Sequence, residues 1–519
     1  MMRHDPKPAH VCGWTTRIAL FPILCLSVVR LVAAEPLQAE APVQFEDFFV
    51  DKALRLELYQ VGDAQDESVL LDHIYEEPLW PGNPRMLLQP FEAGRYVLKV
   101  YDDGSSRLIF SQGFDTTFAE YKTTTPALKG EKRVLQKSVR FPEPRKQVRV
   151  EFARRDKGNR LSVLYSTTVD PTDYHIIRET VDQGDWVFEI QKTGPPHERV
   201  DFAFLSEGYT AAQKEKFKAD AERFTRQLFS AEPYKSSRDK FNVYGVFRAS
   251  GESGVDQPRQ HSFKNTVLGS SYNAFDLDRY LLVENNHAMH RMAAQVPYDT
   301  VVVLVNSSRY GGGSIAMDYC VTTVDEASSP TIFLHELGHS FAFLADEYVG
   351  TTAYNDLYPK GEEPLEPNIT ALLDPANIKW KDLLTPGVAL PTEPPKSDYI
   401  KLRGQLRTVQ REAADQLAAA KAKGQTEEEL KEIDEKSKAL RKGLEEKVAV
   451  ERAKIAAVSN VVGAFEGAGY SANGMYRAQY GCWMGGAGPA DGFCAVCRQG
   501  IQRIIDYEAG GASTGNPNR

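Results

Sequence analysis

The stretch His335-Glu336-Leu337-Gly338-His339, followed by Asp346-Glu347-Tyr348, decides how this chain is interpreted. Positions i and i+4 of an α-helix lie on one face, about 5–6 Å apart, so two imidazoles at this spacing can grip one metal ion. Glu336 projects beside them and can take a proton from a metal-bound water, whose pKa zinc lowers toward roughly 7. The spacing therefore indicates a catalytic zinc site, with His335 and His339 as ligands.

The flanks of this motif predict a buried helix. Ser328-Ser329-Pro330 offers a helix start, with a candidate cap and a proline in the first turn. Apolar residues run into the motif at Ile332-Phe333-Leu334, and apolar or small residues follow it at Ser340–Ala345. Two core histidines that only satisfy hydrogen bonds are the alternative. A metal site embedded in core residues fits this setting better.

Length and composition set broad limits. With 519 residues, the chain is too long for one small core, so two or three domains are expected. Hydrophobic residues make up 42% and charged residues 26%, as in ordinary globular proteins. The formal net charge of -9 argues against general nucleic-acid binding, which favours a basic face.

The N-terminus is typical of an export signal. Basic residues precede an apolar run at 18–29, and Val32-Ala33-Ala34 offers a small-residue cleavage site. Residues 1–34 are therefore predicted to be a cleaved signal peptide and residues 35–44 a linker, in a secreted, periplasmic or cell-surface protein. A retained N-terminal anchor is the alternative, although the run is too short and broken for a stable membrane span.

The cysteines leave two options open. Cys320, Cys482, Cys494 and Cys497 follow the predicted leader. An even number in an exported protein favours disulfides, and at least one is expected. The alternative is a structural zinc site in which Cys494 and Cys497 join Cys482 and Cys320.

Residues 45–170 predict an all-β domain. Alternating or β-rich runs recur between turn residues, as at Leu54–Tyr59, Gly94–Tyr101 and Gln147–Phe152. Short strands punctuated in this way indicate an antiparallel β-sandwich. No catalytic set of residues is visible in this part of the chain.

Residues 185–508 predict an α/β catalytic domain. Arg199–Leu205, Phe241–Phe247 and Thr300–Val305 have the apolar character of buried strands, and Thr210–Phe229 has helical spacing. Strands that alternate with helices and end at the metal helix favour this class. The whole chain is therefore predicted to be an α+β multidomain protein.

Residues 396–457 interrupt this domain. They are rich in Lys, Glu, Ala and Leu, and apolar residues step by three and four on either side of Gly424. Thr426 and Glu429 form a capping box for the second half. The pattern predicts a helical hairpin with coiled-coil-like packing, as a solvated spacer or as an arm that binds a partner or self-associates. Residues 509–519 are predicted to be a disordered tail.

The site needs one further ligand. A catalytic zinc usually takes three protein ligands plus water. Asp346 and Glu347 are the acids just beyond the helix, and the chain must fold back after His339 for either to reach the metal. Spacing alone leaves both as candidates.

The motif with its downstream acids resembles the signature of the IgA-peptidase family of zinc metallopeptidases, which belongs to the metzincin type. Similar stretches are Phe204–Thr210, Ser250–Asp256, Asp278–Leu281, Val305–Gly313, Phe465–Tyr470, Tyr476-Arg477, Cys482–Met484 and Phe493–Cys497. The N-terminal β-rich part resembles the domain that precedes the protease in this family. The helical stretch at 396–457 does not match the family core.

The resemblance implies roles for individual residues. His335, His339 and Asp346 become the zinc ligands and Glu336 the general base. Glu347 then orients a neighbouring group, as residues behind a metal ligand commonly do.

Two further positions follow from the metzincin comparison. Met484 is implied to be the methionine beneath the metal, with an ordinary core methionine as the alternative. Metzincins turn sharply at a glycine three residues before the third ligand. Phe343 stands there, and it would have to avoid or tolerate a left-handed backbone at a cost of about 1 kcal/mol or more.

Other side chains have less specific patterns. Tyr476 and Tyr480 are candidates to donate a hydrogen bond to the developing oxyanion, with packing as the alternative. Tyr310-Gly311-Gly312-Gly313 is a candidate edge strand for an extended substrate, with an ordinary turn as the alternative. His287 and His290 are expected to be a surface pair without a metal.

The sequence thus predicts an exported zinc endopeptidase that cleaves protein or peptide substrates, glycoproteins among them, through a water activated by Glu336. The alternative is a non-catalytic surface protein that binds a glycan or glycoprotein and holds a structural metal. A structural site usually closes with four protein ligands and needs no base, so the complete His-Glu-x-x-His set counts against this alternative.

Overall fold

A computed structural model describes residues 42–178, 184–350, 354, 357–456, 458–486 and 488–510. The predicted signal peptide, most of the predicted linker and nearly all of the predicted tail lie outside the described residues, so those predictions stay predictions.

The N-terminal region consists mainly of antiparallel strands. Its elements are α1 (Phe45–Phe48), β1 (Phe49–Gly62), β2 (Glu67–Glu77), β3 (Tyr96–Asp102), β4 (Leu108–Phe114), α2 (Thr117–Tyr121), α3 (Thr125–Leu128), β5 (Arg133–Pro144), β6 (Val148–Arg155) and β7 (Leu161–Val169). They form one sheet in the order β2-β1-β5 and another in the order β4-β3-β6-β7. The strand pairs in both sheets are antiparallel.

Strand β1 is buried on both faces. Successive side chains of a strand point to opposite sides. Leu56 and Leu58 lie in one apolar core with Leu98 and Phe152 of the second sheet. The neighbouring Glu57 is also fully buried, on the face toward the following domain, which is why this strand alternates apolar and charged residues without being exposed.

The second region combines a large sheet with helices and smaller sheets. Its elements are β8 (Trp186–Gln191), β9 (Val200–Glu207), α4 (Lys214–Leu228), β10 (Phe241–Phe247), β11 (Ser270–Ser271), β12 (Leu282–Val283), α5 (Asn286–Ala293), β13 (Thr300–Val305), β14 (Gly312–Ile315), β15 (Tyr319–Thr323), α6 (Ser329–Ala342), β16 (Ile369–Thr370), α7 (Tyr399–Ala422), α8 (Glu427–Ala456), β17 (Phe465–Ala468), β18 (Ser471–Arg477) and α9 (Ala495–Glu508).

The large sheet has the order β14-β15-β13-β9-β10-β8. Its four inner strands are parallel, and the edge strands β14 and β8 are antiparallel to their neighbours. On one face, Phe333 of α6 packs against Phe204 of β9 and against Phe224 of α4. On the other, α5 packs through Met289 onto Val303. Coverage on both faces explains why these strands are continuous apolar runs, and it places the metal motif against the sheet.

Two long helices occupy the stretch 399–456. α7 ends before Gly424, and Thr426 and Glu429 form the expected capping box, in which the Thr426 N–H donates to Glu429 Oε2 over 2.8 Å. Near the base of the pair, Tyr399 and Ile455 join an apolar cluster. Both helices carry many charged residues. Among the described residues, no helix combines the length and apolarity needed to cross a bilayer.

The prediction that His287 and His290 form a surface pair is wrong. Both are buried where α5 meets the N-terminal region. Nε2 of His287 lies 3.0 Å from the Leu58 carbonyl oxygen, and Nε2 of His290 lies 3.0 Å from Asp318 Oδ1. Arg291 adds an ion pair to the buried Glu57 of β1. His287 thus contacts β1 of the N-terminal region directly, and His290 reaches that region through Asp318, which forms a 2.8 Å ion pair with Lys137 of β5. Spacing within α5 does not reveal these roles.

A second polar contact between the regions involves Glu120 of α2. Its Oε2 accepts hydrogen bonds of 2.7 Å from both Tyr280 and Tyr354. Burial raises the pKa of this carboxyl to about 7, with a further contribution from Asp115, although the two hydroxyls and Arg95 oppose the shift. The folded protein therefore holds this proton at a pH where an unfolded chain has released it.

We expect Glu120 to make stability fall as pH rises from about 4.5 to about 7. In that window the unfolded state loses the proton and the folded state keeps it, so deprotonation favours unfolding. Above about pH 7 both states are ionised and this contribution becomes constant. Gln does not titrate, so the free energy of unfolding of Glu120→Gln, minus that of the wild type, should increase as pH rises from about 4.5 to about 7. Urea unfolding at a series of pH values measures this difference.

Glu215→Gln, at an exposed residue in the first turn of α4, is the control for the loss of a carboxylate at the surface. A difference between Glu120→Gln and the wild type that does not change with pH would contradict the assignment.

Candidate metal centre

A left-handed turn ends the metal-motif helix. Phe343, directly after α6, has φ 53° and ψ 37°. Its N–H donates to the His339 carbonyl over 3.1 Å, and the N–H of Leu344 donates to the Gly338 carbonyl over 3.1 Å. The non-glycine residue at the sharp turn thus adopts the left-handed backbone, and its burial compensates for part of the cost. The chain then reverses direction.

This reversal brings Asp346 to the two imidazoles. Asp346 Oδ1 lies 3.1 Å from His335 Nε2 and 3.4 Å from His339 Nε2. The two Nε2 atoms are 3.2 Å apart. Among the described residues, these three side chains form one candidate metal-binding group, and Glu347 is not part of it.

Backbone carbonyls fix the orientation of both rings. His335 Nδ1 lies 2.9 Å from the Trp483 carbonyl oxygen, and His339 Nδ1 lies 2.5 Å from the Leu344 carbonyl oxygen. A carbonyl oxygen only accepts, so each Nδ1 carries the proton. Each Nε2 is then left with a lone pair, as in histidines that bind metals.

The residues fit a metal ion such as zinc. Tetrahedral ligands at 2.0–2.1 Å from a zinc ion are separated by about 3.3 Å, which matches the three distances between these donor atoms. Asp346 Oδ1 is buried, and in the described part of the chain no donor satisfies it. With both imidazoles neutral, these three atoms are acceptors that converge on one point, an arrangement that attracts a cation, either a proton or a metal ion.

The charge of the site points the same way. Burial lowers the pKa of His339, but the Asp346 carboxylate outweighs it and raises that pKa to about 9. Burial raises the pKa of Asp346, and the imidazoles bring it well below its usual range. A pocket that draws a proton this strongly also attracts a metal cation.

Within the metal motif, the side chain of Glu336 faces the edge strand β14. Its Oε2 accepts a 2.8 Å hydrogen bond from the Ser314 hydroxyl, in β14. A Cβ at Gly312 would lie 3.3 Å from Glu336 Cγ and 2.6 Å from Ile332 Cγ2, so only glycine lets β14 approach the helix this closely. The predicted general base is therefore held by the edge strand.

Within the predicted edge segment, Gly312 and Gly313 belong to β14, and Tyr310 and Gly311 precede it. The outer side of β14 is not entirely open, because the Leu281 N–H donates to the Gly312 carbonyl over 3.2 Å. A substrate strand that paired with β14 at Gly312 would compete with this hydrogen bond.

Met484 lies beneath the metal-motif helix. It is fully buried, and a Cβ at Gly338 would come within 2.6 Å of Met484 Sδ. The Met484 carbonyl accepts a 2.7 Å hydrogen bond from the N–H of Glu347. The metzincin resemblance implied a methionine beneath the metal, and Met484 lies against Gly338 of the metal motif.

Tyr470, a residue to which the sequence analysis gave no role, contacts Asp346. Its hydroxyl donates to Asp346 Oδ2. Tyr476 lies opposite Thr370 and Glu466 in a small sheet.

Tyr480 packs edge-on against Phe465. In the described structure, no side-chain hydrogen bond joins Tyr476 or Tyr480 to the metal motif, although Tyr476 packs against the apolar cluster that contains Leu337. The sequence could have pointed to Tyr470 because it lies in Phe465–Tyr470, one of the stretches that resemble the family. Spacing alone, however, gives no reason to prefer Tyr470 over Tyr476 or Tyr480.

The cysteines depart from the disulfide expectation. Cys320, Cys482, Cys494 and Cys497 are free, buried thiols. Cys320 lies in β15 and does not join the other three, whose fourth neighbour is the Glu347 carboxylate. The combination of all four cysteines in one site is therefore wrong, because the strand that carries Cys320 is fixed within the large sheet.

Comparison with protein families covers both regions. The family model described as IgA Peptidase M64 matches residues 188–505, and the one described as Peptidase M64 N-terminus matches residues 44–166. No curated protein matches the chain. Since the first match spans more than half of the 519 residues, and its range contains the converging histidines and carboxylate, this chain belongs to the IgA Peptidase M64 family of peptidases.

Proposed function

We propose that this peptidase is a zinc-dependent endopeptidase of the metzincin type. The observation that carries the proposal is the convergence of His335, His339 and Asp346, whose donor atoms lie 3.1–3.4 Å apart. Two imidazoles and one carboxylate form a common catalytic zinc set, which leaves a coordination position for water or substrate. The left-handed turn and the buried methionine support the metzincin type.

A bound zinc ion would supply a Lewis acid that acidifies a water molecule and polarises the scissile carbonyl. Glu336 then serves as general base and later as general acid, because its carboxylate can accept the proton of the attacking water and deliver it to the leaving amine. The hydrogen bond from Ser314 holds Oε2, which leaves Oε1 to take the proton. Trp483 and Leu344 keep the imidazoles aimed at one point.

Tyr470 acts through Asp346. Its hydroxyl occupies Oδ2 and leaves Oδ1 to the metal, so it sets which carboxylate oxygen faces the imidazoles. A protein or peptide substrate would approach from the side of Glu336 and β14. Export and cleavage of the leader are part of the proposal, and they are supported by the sequence of residues 1–34 alone.

The alternative of a non-catalytic protein with a structural metal has less support. A structural zinc usually has four protein ligands. Among the described residues, the group around the histidines has three His, Cys, Asp or Glu donors. Membership in a peptidase family argues in the same direction.

Replacement of Glu336 by Gln should abolish most of the peptidase activity and leave the metal bound. The amide cannot take a proton, so kcat/KM on a protein substrate should fall by about 100-fold to 10,000-fold. The measurement pairs turnover with the zinc content of the purified protein.

Glu215, exposed in the first turn of α4, allows the same substitution away from the site. Glu215→Gln should have wild-type turnover. Full activity in Glu336→Gln would rule out Glu336 as the base.

Removal of the Tyr470 hydroxyl should weaken zinc binding. Loss of a hydrogen bond to a metal ligand typically costs about 10-fold to 100-fold in affinity, so Tyr470→Phe should require correspondingly less chelator to lose zinc. Competition with a chromogenic chelator measures this effect.

Tyr476→Phe is the control, because Tyr476 lies in the small sheet and, in the described structure, its hydroxyl has no hydrogen bond to the metal motif. Its zinc affinity should equal that of the wild type. An unchanged zinc affinity in Tyr470→Phe, or an equal loss in both variants, would contradict the role given to Tyr470.

A further inference from the structure

A second group of metal-ligating side chains lies behind the first. The thiols of Cys482, Cys494 and Cys497 and the carboxylate of Glu347 converge, with their donor atoms within 4.8 Å of one another. All four residues are buried. This group, which we call the cysteine cluster, plays no part in the proposed reaction.

The distances within the cysteine cluster fit a metal site. Cys482 Sγ and Cys497 Sγ are 3.7 Å apart. Two thiolates at about 2.3 Å from a tetrahedral zinc ion are separated by about 3.8 Å, whereas a disulfide needs about 2.05 Å. Glu347 Oε1 lies 3.1 Å from Cys497 Sγ and 3.8 Å from Cys494 Sγ, on either side of the roughly 3.5 Å expected between an oxygen and a sulfur ligand.

Backbone amides surround the sulfur atoms. The N–H groups of Cys494 and Met484 donate to Cys482 Sγ over 3.2 and 3.5 Å. The N–H of Cys497 donates to Cys494 Sγ over 3.4 Å, where Cys494 caps the 14-residue helix α9. Donors aimed at sulfur stabilise thiolates, which are the form that binds metals.

Hydrogen bonds also hold the Glu347 carboxylate in place. Asn368 Nδ2 donates to Glu347 Oε1 over 3.0 Å and to the Ala345 carbonyl over 2.9 Å, which fixes the amide. Glu347 Oε2 is buried and, in the described part of the chain, has no hydrogen-bond partner. A fully buried carboxylate beside three cysteines is costly unless a cation compensates its charge.

We propose that Cys482, Cys494, Cys497 and Glu347 bind a second, structural metal ion, of the class that prefers thiolates, with Zn²⁺ as the expected ion. Four protein donors make a closed site without a position for water, unlike the group around the histidines. This proposal does not depend on catalysis at the first site.

The second ion would support the first site through the chain. Cys482 is followed by Trp483, whose carbonyl orients His335, and by Met484 beneath the helix. Glu347 follows Asp346, the proposed third ligand. A metal bound to the cysteine cluster thereby fastens two segments that carry parts of the catalytic centre.

Metal analysis of the full-length chain tests the proposal. We expect two equivalents of zinc in the wild type and one in Cys497→Ser. The control Cys320→Ser, at a buried cysteine in β15 outside the cluster, should keep two. In a variant with His335 and His339 both replaced by Ala, one equivalent should remain.

Cobalt substitution of the wild type covers the case in which Cys497→Ser fails to fold. A thiolate-bound Co²⁺ gives an intense near-ultraviolet charge-transfer band that histidine and carboxylate ligands do not give. We expect this band in the wild type, in Cys320→Ser and in the double histidine variant.

Each outcome decides between the two sites. A single equivalent with the thiolate band, unaffected by the histidine changes, would keep the second site and remove the first. A single equivalent lost with the histidines, without the band, would overturn the second site alone. A disulfide among Cys482, Cys494 and Cys497, seen by mass spectrometry without reduction, would also overturn it.

Discussion

The left-handed backbone at Phe343 is the constraint on which the site depends. A helix that continued past this residue would carry Asp346 away from the imidazoles. The turn instead reverses the chain, so that Asp346 Oδ1 lies 3.1 Å from His335 Nε2. A left-handed phenylalanine costs about 1–2 kcal/mol. Its burial and the hydrogen bond from its N–H to the His339 carbonyl hold the turn in place.

The turn also explains why neighbouring acids have different surroundings. Asp346 and Glu347 follow the helix without helical hydrogen bonds, and their side chains diverge. Asp346 faces the imidazoles, with Tyr470 on its other oxygen. Glu347 faces the cysteine cluster, and its N–H is held by the Met484 carbonyl. One short segment therefore contributes to both groups of donors, so a shift at either group is transmitted to the other.

Local patterns in the sequence were sufficient for part of this arrangement. The i, i+4 spacing predicts the position of both imidazoles, and the family resemblance supplied Asp346. Tyr470, whose hydroxyl contacts Asp346, lies 124 positions after Asp346 in the chain. Cys320 lies in β15 of the large sheet, which keeps it away from the other three cysteines. No periodicity encodes such contacts, because they arise only after the sheet and the loops have packed. The contacts of Glu347 with Cys494 and Cys497 were missed for the same reason.

The segment that carries Cys482 and Met484 has little regular structure to hold it. Between β18 and α9 the described residues contain neither helix nor strand, yet this segment supplies the carbonyl that orients His335 and the methionine under the helix. Ordering such a loop costs about 1–2 kcal/mol of backbone entropy per residue, and few backbone ladders compensate for it. Cross-links that close loops reduce the entropy of the unfolded chain. Cys482, Cys494 and Cys497 are buried, free and close to one another, with amides aimed at their sulfur atoms. They can therefore cross-link this loop through a shared metal ion rather than through a disulfide. A metal bound there would both stabilise the segment that carries Met484 and, through the Trp483 carbonyl, align the imidazole of His335.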